Sequence, residues 1–339
     1  MGLILLSPVF ISIAVLEQNN DFSYETVVLL DKIKAQLSSY VVILKPDKLE
    51  PEWWAGAPSV VRDEGGKFYL ACRMRTGEGK RGFRGYEIRI LKSEDGINFT
   101  KLKSIMREEV PVLGFERPSL LLDPTSGKFK LYACAPDEGG IWSVIKFADA
   151  DDPIDFDPSS AKKVIQPPPK RYERDILPRS YKDPVIFFDG EKFHCYVIGY
   201  IRENEWIFHF TSDDGENWRP YREYTESIMS LSGWHDFFVR PASILSVGIG
   251  YLFVYEGSNI KWYDPVYNIA TGLGFTFDLH KIIDLTPEKP LLISPTPNDY
   301  FFTFRYSHWL KVGDEIWVYA EVACPDLTNE IRLFRFSLK

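Results

Sequence analysis

The sequence predicts an all-β fold: a five-bladed β-propeller whose last blade is closed by a strand from near the N-terminus, with a short helix beside it. Three observations predict it. A short motif recurs at long, similar intervals, four brief strands fit between successive copies, and one strand is spare at the start where one is missing at the end.

The motif sets charged or small residues against the mouth of an apolar run. It reads Ala57-Pro58-Ser59-Val60-Val61, Glu116-Arg117-Pro118-Ser119-Leu120, Asp183-Pro184-Val185-Ile186-Phe187 and Arg240-Pro241-Ala242-Ser243-Ile244. Arg305-Tyr306-Ser307-His308-Trp309 repeats it without the proline. The pivots at 58, 118, 184, 241 and 306 lie 60, 66, 57 and 65 residues apart. A period of this size signals one supersecondary unit used repeatedly.

Each unit reads as four strands. In the first, APSVVRD is followed by FYLACRMR, YEIRILKS and FTKLKSIM; in the third, DPVIFFD leads to KFHCYVIG, WIFHFTS and WRPYREY. Apolar runs this short, bounded by Gly and Asp, argue for strands. The turns SEDGINF (93–99) and SDDGENW (212–218) occupy the same place in their units, and each Asp-Gly pair supplies the positive φ of a tight hairpin. Four antiparallel strands repeated radially make the blades of a propeller. The expected blades are 53–107, 108–165, 171–225, 226–284 and 285–339, in one domain spanning 1–339, with runs such as QPPPK (166–170) as surface linkers.

The last unit offers only three strands, and YVVILK (40–45) has no unit of its own, so that strand is expected to pair with IRLFRF (331–336) and remove an open edge. Residues 25–37 have helical spacing, with Val28, Leu29, Ile33 and Leu37 on one side, and are expected to pack outside the ring.

Composition narrows the function. The net charge of −8, with both signs mixed along the chain, leaves no nucleic-acid footprint. No apolar run reaches the roughly 18 residues of a membrane helix. LILLSPVFISIAVL (3–16) is apolar like a secretory leader but has no basic residues before it, contains Pro8 and lacks a small-x-small cleavage site. Cys72, Cys134, Cys195 and Cys324 fall at similar offsets in successive units, where the architecture holds them apart. They are expected to be free and buried, in a reducing, cytoplasmic setting.

In a propeller the first strand of each blade lines the channel, so the residues before each pivot converge on one rim. These are Trp53 to Ala57, Glu116 with Arg117, Lys182 with Asp183, Arg240, and Arg305. A polar cluster at a channel mouth is the usual form of a binding site.

Residues 250–293, with Gly250-Tyr251-Leu252, Tyr255-Glu256-Gly257 and Pro290-Leu291-Leu292, resemble the fourth blade of glycoside hydrolase family 130. The Asp-Gly turns and KDPVIF (182–187) look like the same family or the related family 43 and 32 propellers, and the resemblance spans residues 53–337. It implies a five-bladed propeller that cleaves mannosides by phosphorolysis or hydrolysis. The second-blade motif departs from the family. Where family 130 writes Glu-Asp-Pro-Arg, with Asp as proton donor and Arg on phosphate, this chain has Glu116-Arg117-Pro118-Ser119. The family's Tyr-His-Gly becomes Tyr255-Glu256-Gly257; the family 43 first-blade Asp falls at Ala57, whereas Asp183 matches its third-blade Asp.

Three rim carboxylates, Glu116, Asp183 and Glu256, are candidates for the acid and base of inverting glycoside cleavage. Arg117 and Lys182 should depress the pKa of their neighbours, which suits a base. Glu256 follows a Leu-, Phe- and Tyr-rich strand that suits it to acid work, and the reverse assignment fits equally. Arg117, Lys182, Arg240 and Arg305 would bind an anion, either phosphate as co-substrate or an acidic sugar. Trp54, Trp234 and Tyr263 are candidates to stack on sugar rings, with Trp53 beside them. The scattered histidines have no metal-ligand spacing; His235, Asp236 and His308 are the ones nearest the rim. The expected partner is an oligosaccharide, with no nucleic acid or membrane, in a monomer or homo-oligomer. The competing expectation is a propeller that keeps the fold and only binds a glycan or a protein.

Overall fold

The computed structural model describes residues 24–168, 177–224 and 226–337. The apolar stretch 3–16 and the boundaries at 171, 225 and 339 lie outside them. The helix α1 (Tyr24–Gln36) and strand β1 (Tyr40–Leu44) precede a series of antiparallel meanders. These are β2 (Trp54–Arg62), β3 (Phe68–Arg75), β4 (Gly85–Ser93) and β5 (Thr100–Met106), then β6 (Ser119–Leu122), β7 (Phe129–Pro136), β8 (Trp142–Lys146) and β9 (Lys162–Ile165). Next come β10 (Tyr181–Phe188), β11 (Phe193–Ile201), β12 (Asn204–Ser212) and β13 (Arg219–Pro220), then β14 (Phe238–Ser246), β15 (Tyr251–Ser258), β16 (Ala270–Thr276) and β17 (Ile283–Asp284). The last three are β18 (Phe304–Val312), β19 (Glu315–Ala323) and β20 (Asn329–Ser337). The chain is a β-propeller.

Its final meander is closed as the spare strand requires: β1 pairs antiparallel with β20, Tyr40 opposite Phe334 and Val41 opposite Leu333. α1 docks on the same meander, with Ile33 and Leu37 buried in a cluster that includes Trp309 and Phe336. One expectation is trimmed. WRPYREY forms only the two-residue β13, because Pro220 brings no N–H to the ladder and the chain then turns away.

The apolar core lies between neighbouring meanders. Separate clusters fill each junction, including the one between the last meander and the first, where Trp317, Tyr319 and Leu333 meet Leu70, Cys72 and Met74. All four cysteines are buried and unpaired by disulfides.

The Asp-Gly turns have a second role that the sequence does not announce. Asp95 Oδ1 accepts from the N–H groups of Ile97 and Asn98, and Gly96 takes φ +72°. The carbonyl thus turned outward accepts the Tyr319 hydroxyl of the adjacent meander at 2.7 Å. Gly215 and Tyr132 repeat the arrangement at 2.7 Å, and Leu279 (φ +61°) with Tyr196 repeats it without glycine.

Four of the five pivots are β-bulges; at the second, β6 begins only at Ser119 and pairs with β7 without a slip. Register slips between Gly56 and Ser59, Lys182 and Val185, Pro241 and Ser243, and Arg305 and His308. A bulge is where a channel-lining strand tolerates proline's missing N–H. Ala57, Asp183 and Tyr306 sit there at φ +52°, +53° and +52°, a left-handed conformation costing on the order of 1–3 kcal/mol in non-glycine residues. That strain is concentrated at the rim holding the charges.

Candidate functional site

At the rim before the bulges, the channel opens into a cleft of about 570 Å³. Glu116, Lys182, Arg240, Arg305 and Tyr306 line it. Beneath them the inner strands deliver charge to a buried interior, where most of these charges have a specific partner.

Glu321 on β19 anchors one side. Its Oε1 accepts from Arg305 Nη2 at 2.8 Å and from Asn329 Nδ2 at 2.7 Å; its Oε2 accepts from Arg73 Nη2 at 2.7 Å and the Ala57 N–H at 3.1 Å. Burial alone would raise its pKa, but Arg305 and Arg73 outweigh this and hold it below the ordinary value. Arg73 also reaches Glu116 Oε2 at 3.2 Å, linking the first two meanders. On the opposite side Arg240 is paired with the fully buried Glu205.

Asp183 lies one layer down. Its Oδ2 accepts the Tyr306 hydroxyl at 3.1 Å and its Oδ1 the Cys134 thiol at 3.3 Å. Burial pushes its pKa up, yet Lys182, Arg240 and Arg117 together pull it below the usual carboxylate value. Glu256, directly across the ladder from Arg240, is completely buried. Its Oε1 accepts from the Ser307 N–H at 3.3 Å; its Oε2 has no hydrogen-bond partner among the described residues. Burial pushes this carboxyl up to about 7 despite Arg117, Arg240 and Arg305. Two carboxyl groups that share the charges of Arg117 and Arg240 are therefore driven in opposite directions.

Arg117 does not line the cleft. It crosses the channel, and its two terminal nitrogens donate to the carbonyls of Pro241 (2.9 Å) and Ala242. Of the four cations singled out in the sequence, Arg117 is thus engaged by backbone, Arg240 by Glu205 and Arg305 by Glu321. Lys182 alone faces the cleft with no carboxylate at salt-bridge distance among the described residues. Burial disfavours its charge, but the Tyr200 oxygen, Asp183 and Glu116 raise its pKa above the usual lysine value.

The aromatic candidates separate. Trp54 is buried beneath Arg75 and Arg305, their guanidinium carbons 3.7 and 4.9 Å from its ring centre. Trp234 packs on Tyr255 and Trp262 and donates to the Thr286 carbonyl at 2.6 Å, within the junction between the third and fourth meanders. Tyr263 is exposed and packs on Tyr300. Neither Trp234 nor Tyr263 lines the cleft. Trp142, Tyr200 and Tyr267 do. His235 is bonded to Asp284 at 3.1 Å, and His308 lines the opposite end of the channel. Among the described residues no group of three or more His, Cys, Asp or Glu side chains is placed to hold a metal ion.

Sequence reasoning passed over Arg73, Arg75, Glu205, Glu321 and Tyr267. A signal existed for three rim positions: Arg73, Glu256 and Glu321 each interrupt an otherwise apolar second strand at the place opposite the bulged strand.

With this geometry the comparison with known proteins has a clear outcome. A β-1,2-mannobiose phosphorylase from Listeria innocua, in complex with β-1,2-mannobiose, matches at 14% identity and TM-score 0.64, over 87% of this chain and 94% of that one. The fold is that of the family 130 and family 43 propeller glycosidases. A structure from the GH130 mannoside phosphorylase family, whose members include glycoside hydrolases targeting β-1,2 mannosidic linkages in Candida mannan, matches at 14% identity and TM-score 0.62, over 88% and 95%. A thermostable family-43 glycoside hydrolase matches at 15% identity and TM-score 0.60, over 87% and 93%. No family model and no curated protein matches the sequence.

Proposed function

We propose that this chain, as one five-bladed propeller domain, is a carbohydrate-active enzyme that cleaves glycosidic bonds at the charged rim by an inverting route. The supporting observation is the contrast between two buried carboxyls beneath the cleft: Asp183, held below its ordinary value by Lys182, Arg240 and Arg117 despite burial, and Glu256, pushed up to about 7 by burial, a divergence that suits acid and base catalysis. In hydrolysis, the attacking water forms its bond to the anomeric carbon as the glycosidic C–O bond breaks. Its proton passes to the Tyr306 hydroxyl while that hydroxyl's proton passes to Asp183, since Tyr306 is the member of the pair that lines the cleft. Glu256 returns a proton to the departing oxygen. In phosphorolysis of a mannoside a phosphate oxygen, already anionic, replaces the water and needs no base, so only one carboxyl is required, as the acid, and the product is a sugar 1-phosphate. Asp183 and Glu256 have almost no exposed surface, so this reading requires the layer made by Tyr306 and Arg240 to yield when a sugar enters.

A glycan-binding propeller without catalysis is the second reading. It is favoured by Arg117, which occupies the place of the family proton donor and is spent on two backbone carbonyls. One experiment separates the two. The full chain is incubated with mannosides and acidic oligosaccharides, with and without phosphate, and released sugar and sugar 1-phosphate are measured. The expected result is release by the wild type and a loss of about 10²–10⁴-fold in Asp183→Asn and Glu256→Gln. Asparagine suits the first position because, like Asp, it tolerates the left-handed backbone at 183. Binding without release by any of the three proteins would leave the non-catalytic reading standing.

A further inference from the structure

The cleft holds seven Lys and Arg side chains against two carboxylates, in a chain whose net charge is −8. Three of those cations are neutralised locally: Arg240 by Glu205, Arg305 by Glu321 and Arg81 by Asp264. Lys182, Arg75, Arg179 and Arg202 have no carboxylate at salt-bridge distance among the described residues. Two of the four are held in aromatic settings that fix their position. Lys182 Nζ lies 4.7 Å from the ring centre of Trp142 and 5.9 Å from that of Tyr200; Arg75 lies against Trp54 and Tyr267. The Nε of Arg75 is buried with no hydrogen-bond partner among the described residues.

A neutral sugar offers only hydroxyl groups, and these do not pair the charges of Lys182 and Arg75, the two of the four cations that are not exposed. A ligand carrying its own negative charge does. We infer that the cleft is built for an anionic oligosaccharide, and that Lys182 receives the carboxylate of a uronic acid residue whose ring lies near Trp142. The inference rests on the reading of the cleft as a glycan site and adds the charge of the glycan. Lysine acts here as a compact point charge, so it selects for charge more than for the planar geometry an arginine fork would impose. Inorganic phosphate is the other possible source of negative charge, and the test has a separate arm for it.

Oligosaccharides of glucuronic, galacturonic and mannuronic acid are titrated calorimetrically into the full chain, each beside its carboxyl-reduced neutral counterpart. Inorganic phosphate is titrated separately. The expected result is that at least one acidic oligosaccharide binds about 10- to 100-fold more tightly than its reduced form. That preference should shrink with added salt, vanish in Lys182→Met and return in Lys182→Arg. Equal binding of acidic and neutral forms would overturn the inference and leave the glycan site intact. Binding of no oligosaccharide would overturn both. Phosphate binding that depends on Lys182, without any acidic preference, would assign the cation to phosphate and likewise overturn it. Should Lys182→Met fail to fold, the wild-type preference and its salt dependence decide the matter alone.

Discussion

The two ends of the channel are built by the same inner strands, yet neighbouring meanders are joined differently at each. Before the bulges stand Glu116, Lys182, Arg240 and Arg305; after them come Ser59, Ser119, Ser243 and His308 amid Val60, Leu120, Ile186 and Trp309. At the second end, a cavity of about 850 Å³, the serines bridge neighbouring meanders. Ser59 Oγ accepts the Leu120 N–H at 2.9 Å, Ser119 Oγ that of Ile186 at 3.2 Å and Ser243 Oγ that of Trp309 at 3.0 Å. One end is joined mainly by neutral serine hydrogen bonds, the other by buried ion pairs, and Arg117, which lines the second cavity, reaches across the channel. A bulge is what allows one strand to serve both, because it breaks the alternation that would otherwise continue the same pattern along its length.

This contrast predicts unequal costs. Glu321→Gln should be the most damaging change, since it leaves Arg73 and Arg305 buried with a neutral partner. The expected loss is about 3–5 kcal/mol, read by urea unfolding. A loss below about 1 kcal/mol would mean that the rim charges are as replaceable as surface pairs. Arg117→Met should come next, at about 2–4 kcal/mol, because the Pro241 and Ala242 carbonyls lose their donors in a dry setting. Ser243→Ala at the other end removes one neutral bond and should cost about 1 kcal/mol, in the same measurement.

Glu256 provides a pH signature for the charged end. Its folded pKa of about 7 lies above the ordinary 4.5. Between these values the unfolded chain releases a proton that the folded chain retains, so the group's contribution to stability falls as pH rises, and the loss is complete above about 7. Glu256→Gln has no such dependence. The variant should therefore gain on the wild type between pH 5 and pH 8 in thermal unfolding; parallel curves would show that Glu256 is ionised throughout. Comparison with the variant is needed because His194, His209 and His280, all depressed by burial, slope the opposite way in that window. A change at neither end, Tyr132→Phe, removes one hydroxyl bond to the Gly215 carbonyl and should cost about 1 kcal/mol, no more than Ser243→Ala, in urea unfolding.

The parts legible in the sequence are those encoded locally. Strand periodicity, the spare strand at 40–45 and the recurring pivots each involve a few consecutive residues, and the folded chain reproduces them. The partners of the rim charges are of another kind. Glu205 meets Arg240 and Arg73 meets Glu321 only after separate meanders are brought together, so no spacing along the chain announces these pairs. Arg117 precedes a pivot, which places its backbone at the rim, but its long side chain spans the channel to the strand opposite. Trp234 and Tyr263 show the weakness of judging aromatics by type, since both pack on other aromatic rings away from the cleft, while Trp142 and Tyr200 line it.

The pairing of β1 with β20 has a kinetic side. Strand β1 is among the first described segments to be synthesised, and its partner among the last, so nearly the whole ring must assemble before Tyr40 can meet Phe334. Until then the exposed ladder of β20 and the unpaired β1 are both competent to join another chain. Closing so long a loop is slow, and such open edges are where multi-strand proteins associate wrongly. Two molecules folding side by side at high concentration would each find in the other the strand they await.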